Sequence, residues 1–291
     1  MTPHVRVLPL VATGLGSKTK HYATIQLHNP IRRNALTPGM MTQLREALLE
    51  VRALAQTHES LVAVVVAGAN GSFCSGFDLT SKTADTDADT LDPAFAAHMS
   101  KVMHENMLLL HGLPLVSIAA VDGFALGGGA ELMSWCDFRV MSPSARTGFF
   151  QSKMGVVPGW GAGTRLRSLF GASHALRLLT TPRILSAFEA HQLNLATHVS
   201  DAPEADAAIS AAQLVHRDLF ERDFVDAYPG AVRAMKRVVL DAGHEDGVDA
   251  YIAGLRRCLE RERAEFVGLW GAKDNLEAIK TALAASKKSK L

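Results

Sequence analysis

Two apolar runs constrain this chain most: Leu61–Ala67, and Leu113–Val121 with Ser117 inside it, each followed within a few residues by a cluster of glycines. Short runs rich in β-branched residues and closed by turn residues read as strands buried in a core. Gly68-Ala69-Asn70-Gly71 ends the first run, and Phe73-Cys74-Ser75-Gly76-Phe77-Asp78-Leu79 follows it. The second leads into Asp122-Gly123-Phe124-Ala125-Leu126-Gly127-Gly128-Gly129-Ala130-Glu131-Leu132, which opens a short helix ending near Trp135. Successive glycines let a backbone approach a ligand closely. A helix N-terminus adds unbonded N–H groups and a partial positive charge. The second segment therefore reads as an anion or oxyanion site, with a tight turn as the alternative.

Around these runs, Val5–Ala12, Tyr22–His28 and Phe138–Met141 also read as strands. Asn29-Pro30 breaks the second strand, and Thr37-Pro38 reads as an N-cap followed by proline at the first helical position. Met41, Leu44, Leu48, Val51 and Leu54 then mark one helical face. Ser81–Pro93, carrying Asp85, Asp87, Asp89 and Asp92 among small residues, reads as a mobile surface loop before a helix over 95–110. From about Gly161 helices dominate, over 166–170, 174–179, 187–193 and 204–222. A last helix is predicted over 248–267, with 275–284 as its continuation. The alternation of strands and helices followed by helices alone predicts an α/β core with a helical C-terminal part.

Several function classes are excluded or disfavoured. No G-x-x-x-x-G-K, G-x-G-x-x-G or G-x-S-x-G pattern occurs, so a phosphate loop, a dinucleotide fold and a nucleophilic Ser75 lack support. The histidines show no metal-ligand spacing, and no metal is expected. Lys+Arg 30 against Asp+Glu 29 leaves a net charge of +1, with no global field to collect nucleic acid or an anionic membrane. No stretch approaches the ~18 apolar residues of a membrane span. Cys74, Cys136 and Cys258 suit a reducing compartment. Val7–Ala12 is short, holds Pro9 and lacks a basic leader, which predicts no signal peptide. Ser289-Lys290-Leu291 matches a receptor-read peroxisomal address, so import into a peroxisome or related microbody (glycosome) is expected, with a frayed lysine-rich tail as the alternative.

Four motifs in order resemble the enoyl-CoA hydratase/isomerase (crotonase) superfamily. They are Asn29-Pro30 with Asn34-Ala35-Leu36, then Phe73–Leu79, then Gly127–Leu132 with Cys136-Asp137, then Gly155-Val156-Val157-Pro158-Gly159. The resemblance implies a spiral of ββα units of the ClpP/crotonase type over 1–200. A helical region over 201–286 would trimerise, giving a homotrimer or hexamer, and 287–291 would be a targeting tail. Substrates would be acyl-CoA thioesters, with coenzyme A as part of the substrate and no separate cofactor. Carried over by motif, the backbone N–H groups of Phe77 and Gly128 would form an oxyanion hole, with Gly76 and Gly127 beside them. Arg33, Ala35, Ser75, Asp78 and Leu79 would line the CoA site, and Glu131 would point at the acyl α-carbon. Lys236 and Arg165 are further basic candidates for CoA phosphates, against ordinary surface positions.

The resemblance has one departure with chemical weight. Hydratases of this superfamily carry a second glutamate four residues before the glycine that opens the G-x-x-P-G segment. Here that glycine is Gly155, Gly159 closes the segment, and the glutamate position holds Gln151. Hydration needs two groups that trade protons with one water, and glutamine cannot trade protons. Decarboxylation of a malonyl-type thioester survives this change, because departing CO2 leaves its electrons on an enolate and needs no base. Met154–Gly161, Leu269-Trp270-Gly271 and Asn275–Ile279 further resemble the ethylmalonyl-CoA decarboxylase branch, although Gln151 stands where its members carry histidine. An ethylmalonyl- or methylmalonyl-CoA decarboxylase is the leading expectation. An enoyl-CoA hydratase or isomerase of fatty acid β-oxidation is the alternative, and a non-catalytic RNA-binding homologue a remote one, since Arg32-Arg33, Arg256-Arg257 and Lys287-Lys288 are short basic runs.

Overall fold

The computed structural model describes residues 4–14, 16–81, 92–200, 211–241 and 247–288. Strands β1 (His4–Thr13), β2 (Lys20–His28), β3 (Leu61–Gly68), β4 (Val116–Val121), β6 (Phe138–Met141) and β9 (His198–Val199) form a six-stranded sheet in the order β1-β2-β3-β4-β6-β9. Only the β1–β2 pair is antiparallel. A smaller sheet joins β5 (Phe124–Leu126), β7 (Arg146–Gly148) and β8 (Leu185–Ser186). Every residue from Leu61 to Ala67 is buried. Val64 and Val66 face one apolar cluster, while Val62 and Val65 face another. Burial on both faces explains why this strand is an unbroken apolar run rather than an alternating one.

Helix α1 (Pro38–Thr57) begins as its sequence dictates, with Thr37 accepting from the Met40 N–H and Pro38 in the first turn. It buries Met41, Leu44, Leu48 and Val51 against β1 and β2; Leu54 is only partly buried. Helix α2 (Pro93–His111) starts at the proline assigned to the end of the acidic loop, because Asp92 caps it by accepting from Ala94 N. Residues 82–91 of that loop lie outside the described residues. α3 (Gly128–Trp135) follows the second glycine segment, and α4 (Ala162–Thr180) is kinked at Gly171, where φ is 74°. α5 (Ala187–Gln192) follows β8. Of the helix expected over 204–222, the described part is α6 (Ala211–Val215) running into a π-helix at His216–Asp223. With α7 (Pro229–Asp241) it covers the second face of the large sheet.

The C-terminal helices differ from expectation in one respect. α8 (Gly247–Leu269) and α9 (Lys273–Lys288) are separate helices, not one continuous element. Gly271 adopts φ 73°, and its N–H donates to Asn275 Oδ1 at 2.9 Å, which turns the chain between them. α8 then packs on α2 and α4, while α9 packs on the turn at Ser152–Met154.

The Asn29-Pro30…Asn34-Ala35-Leu36 motif has a scaffolding role. Buried Asn34, at φ 56°, donates through Nδ2 to the Ala69 and Ser72 carbonyls at 2.8 and 2.6 Å. Its Oδ1 accepts from Asn29 N, and Asn29 Nδ2 donates to Ala35 O. This knot pins the 29–36 loop to the turn after β3. It brings Leu36 into a parallel bridge with Phe77.

Candidate active site

The two glycine segments meet at the end of the sheets. Cys74 bridges to Ala125, with Cys74 N donating to Phe124 O and Leu126 N to Cys74 O. On the other side, Leu36 N donates to Gly76 O at 2.8 Å and Asp78 N to Leu36 O at 3.0 Å. That bridge uses the groups flanking Phe77, so the Phe77 N–H points away from Leu36. Gly128 opens α3, and its N–H has no acceptor within the helix. Gly127 turns the chain into α3 with φ 54° and ψ −119°, a conformation open essentially to glycine alone.

Close packing holds the two loops in register. A Cβ on Gly76 would sit 3.1 Å from Gly128 N, and Gly76 has φ +99°. A Cβ on Gly129 would fall 2.0 Å from Cys74 O. One on Gly128 would lie 2.4 Å from the Trp160 ring. Glycine is thus required at 76 and 127 for backbone shape, and at 128 and 129 for space.

Glu131, one turn into α3, is buried at 2% exposure. Gln151 Nε2 donates to its Oε1 at 2.8 Å, and the N–H groups of Trp160 and Ala162 donate to Oε2 at 2.9 and 3.0 Å. Burial, and secondarily the like charge of Glu262, push its pKa up to about 8 against these three donors. Glu131 is therefore a carboxylic acid at neutral pH. The three groups bonded to it are donors, which oppose protonation, and none of them is an acceptor that would hold its proton. Gln151 Oε1 is buried and has no partner among the described residues.

A cavity of about 300 Å³ opens in front of these groups. Of the residues singled out from sequence, Ser75, Gly76, Phe77, Leu79, Gly127, Gly128, Glu131, Gln151 and Gly159 line it. Arg33, Ala35 and Asp78 do not. Arg33 is exposed, its guanidinium 4.9 Å from the Phe124 ring centre. Ala35 is buried, and Asp78 Oδ1 is taken by the N–H and hydroxyl of Thr80. Lys236 and Arg165 are also not surface cations. Lys236 pairs with Asp137 in the interior, and Arg165 lies over Trp135 with Nε donating to Ser134 O.

Met99, Phe150 and Phe266 lie outside every motif read from the sequence, and the other wall residues lie in segments read there only for their resemblance to the family or to one branch of it. Met99 comes from α2, and Phe150, Met154, Val156 and Trp160 come from the segment around Gly155. Phe266, Trp270, Asn275 and Ile279 come from α8, α9 and the turn between them. Trp270 meets the Phe77 ring edge-on at 6.0 Å, and a Cβ on Gly159 would touch Phe266 at 2.8 Å. Trp160 and Trp270, read as branch markers, are pocket walls. The C-terminal helices of the chain thus close its own pocket, and Glu131 is the only ionisable carboxyl or amine lining it among the described residues.

The enoyl-CoA hydratase/isomerase family model matches residues 18–240. The chain is 34% identical over 250 residues to ethylmalonyl-CoA decarboxylase of Danio rerio, covering 86% of this chain and 76% of that protein. It is 32% identical over 256 residues to the Homo sapiens protein of the same name, covering 88% and 76%. Among solved structures, an enoyl-CoA hydratase from Bacillus halodurans superposes with a TM-score of 0.70 at 20% identity, covering 94% of this chain and 99% of that one. A putative enoyl-CoA hydratase from Thermobifida fusca in complex with CoA gives 0.61 at 30% identity, covering 88% and 92%.

Proposed function

The chain belongs to the enoyl-CoA hydratase/isomerase family, and from that premise we propose that it decarboxylates a 2-alkylmalonyl-CoA, with ethylmalonyl- and methylmalonyl-CoA as substrates. The observation that carries this reading is the Gln151–Glu131 bond: the position that would supply a second proton-trading carboxylate holds an amide, bonded to the one carboxyl that lines the pocket among the described residues. Likeness to a CoA-bound relative supports a thioester substrate, and the identity to ethylmalonyl-CoA decarboxylases supports the malonyl class.

In this reading the thioester oxygen lies between the N–H groups of Phe77 and Gly128. The bond from the α-carbon to the carboxylate breaks, CO2 leaves, and the electron pair passes to the thioester oxygen as an enolate. Preorganised donors stabilise that charge, each by ~2.7–4 kcal/mol of barrier. The apolar walls from Trp160, Phe266 and Trp270 keep water away while the charge develops. Glu131 then gives its proton to the α-carbon, leaving the acyl-CoA product, and regains a proton from solvent. An acid with a pKa of about 8 suits that donation.

Incubation with ethylmalonyl-, methylmalonyl- and crotonyl-CoA, followed by mass spectrometry, tests this. Loss of CO2 from the malonyl substrates is expected. Addition of water to crotonyl-CoA with no CO2 released would refute it in favour of a hydratase. An isomerase is the second enzymatic reading, because shifting one double bond needs a single carboxyl such as Glu131. We further infer a homotrimer or hexamer, supported by Met235, Val238 and Val239 standing 66–72% exposed along α7. Import into a peroxisome or glycosome would follow from Ser289-Lys290-Leu291, which lies outside the described residues.

A further inference from the structure

Two carboxylates share the N-terminus of α4. Glu131 Oε2 takes the Ala162 N–H, the first of the helix, together with the Trp160 N–H before it. Glu262, reaching across from α8, takes the next two: Oε1 accepts from Gly163 N at 2.8 Å, and Oε2 accepts from Thr164 N at 2.8 Å and from the Thr164 hydroxyl at 2.7 Å. A helix end stabilises one nearby negative charge. Two carboxylates crowded onto it repel, so one of them keeps its proton.

We propose that Glu262 is a positioning residue that keeps the proton on Glu131: it occupies the second and third N–H groups of α4, holds the negative charge of that helix end, and leaves Glu131 as the neutral acid facing the pocket. The division follows from surroundings. Burial raises the Glu262 carboxyl as well, but its bonds from Gly163 and Thr164 oppose that rise and it keeps partial access to solvent, whereas Glu131, with as many donors, is enclosed. Other titratable groups around Glu131 do not compete for this role. His104 on α2 is held neutral by burial, with a pKa of about 3. Arg263 on α8 acts on His104. Arg165 on α4 is engaged with Trp135 and Ser134. Burial pushes the thiols of Cys74 and Cys136 up to about 12, so they are neutral. Lys153, Lys273, Asp274 and Glu277, on the turn before Gly155 and on α9, are exposed to water.

Only the use made of the proton rests on the decarboxylase reading; its location does not. The first test therefore needs no substrate: infrared titration of the carboxyl band of Glu131 in the ligand-free protein, with the Glu131→Gln spectrum subtracted. In Glu262→Gln the midpoint should fall by about one pH unit, because the like charge is gone. In Glu262→Asp, which keeps the charge, it should stay within about half a unit of wild type. The alkaline limb of kcat/KM should move with the midpoint in each variant. A purely structural cap would lower kcat in both variants without moving either midpoint, and that result overturns the proposal. If Glu262→Gln does not fold, a full-unit fall in Glu262→Asp overturns it equally. Absence of CO2 release would sink the decarboxylase reading alone, since the infrared midpoints still decide the role of Glu262.

Discussion

Replacing Glu131 with glutamine should slow turnover sharply and yet make the protein more stable at neutral pH. The carboxyl titrates near 4.5 in an unfolded chain and near 8 in the folded one. Between those values the native state binds a proton that the unfolded state has lost, so stability falls as pH rises, by about 1.4 kcal/mol per unit. At pH 7 the accumulated cost is about 3 kcal/mol, and it levels off at about 5 kcal/mol once the native acid also ionises. Glutamine removes this cost without breaking bonds. Its carbonyl can accept from Trp160 and Ala162, and its amide can face Gln151 turned over to present the unpartnered Oε1. Urea denaturation of both proteins across a pH series measures the effect. The stability difference should be small near pH 5 (about where the unfolded acid titrates) and should grow steadily to about pH 8. A difference that is flat across that range would refute the assignment of a buried neutral acid. Turnover of ethylmalonyl-CoA should fall by about 100-fold or more.

Other consequences concern the rest of the site. Decarboxylation should decline above about pH 8, as the acid form of Glu131 is lost; a rate that keeps rising there would contradict proton donation by this group. Gly76→Ala places a methyl 3.1 Å from Gly128 N on a backbone with φ +99°, and kcat should fall by about 100-fold with a stability loss of about 1–3 kcal/mol, read by kinetics and thermal melting. Gln151→Glu sets a second carboxyl against the first and should confer measurable hydration of crotonyl-CoA, checked by mass, while slowing CO2 release. Lys236→Met leaves the half-buried Asp137 without its ion-pair partner, with only the Ser117 N–H and hydroxyl still donating to it, and should cost about 1–3 kcal/mol. CoA affinity by calorimetry should be unchanged, because Lys236 does not reach the pocket.

Features encoded in contiguous residues were legible in the sequence. The both-sided burial of Leu61–Ala67, the Thr37-Pro38 helix start and the turn of Gly127–Gly129 into α3 each depend on local φ, ψ and side-chain pattern. The order of four motifs sufficed to place Phe77, Gly128 and Glu131 together, since a family resemblance carries the spatial pairing with it. The break between α8 and α9 was missed because Gly271, unlike a proline, is compatible with an amphipathic pattern read through it. Asp78 and Arg33 belong to the right segments but turn away from the cavity, since side-chain direction is set by neighbours such as Thr80 and Phe124.

By itself, then, the sequence determined the α/β core, the two loops that meet, and the replacement of a second acid by Gln151. The tertiary structure decided the protonation of Glu131, the sharing of one helix end with Glu262, and the closing of the pocket by Phe266 and Trp270. Periodicity and turn chemistry act between near neighbours along the chain. Desolvation and charge repulsion act through space, between residues whose separation in sequence carries no signal of their contact.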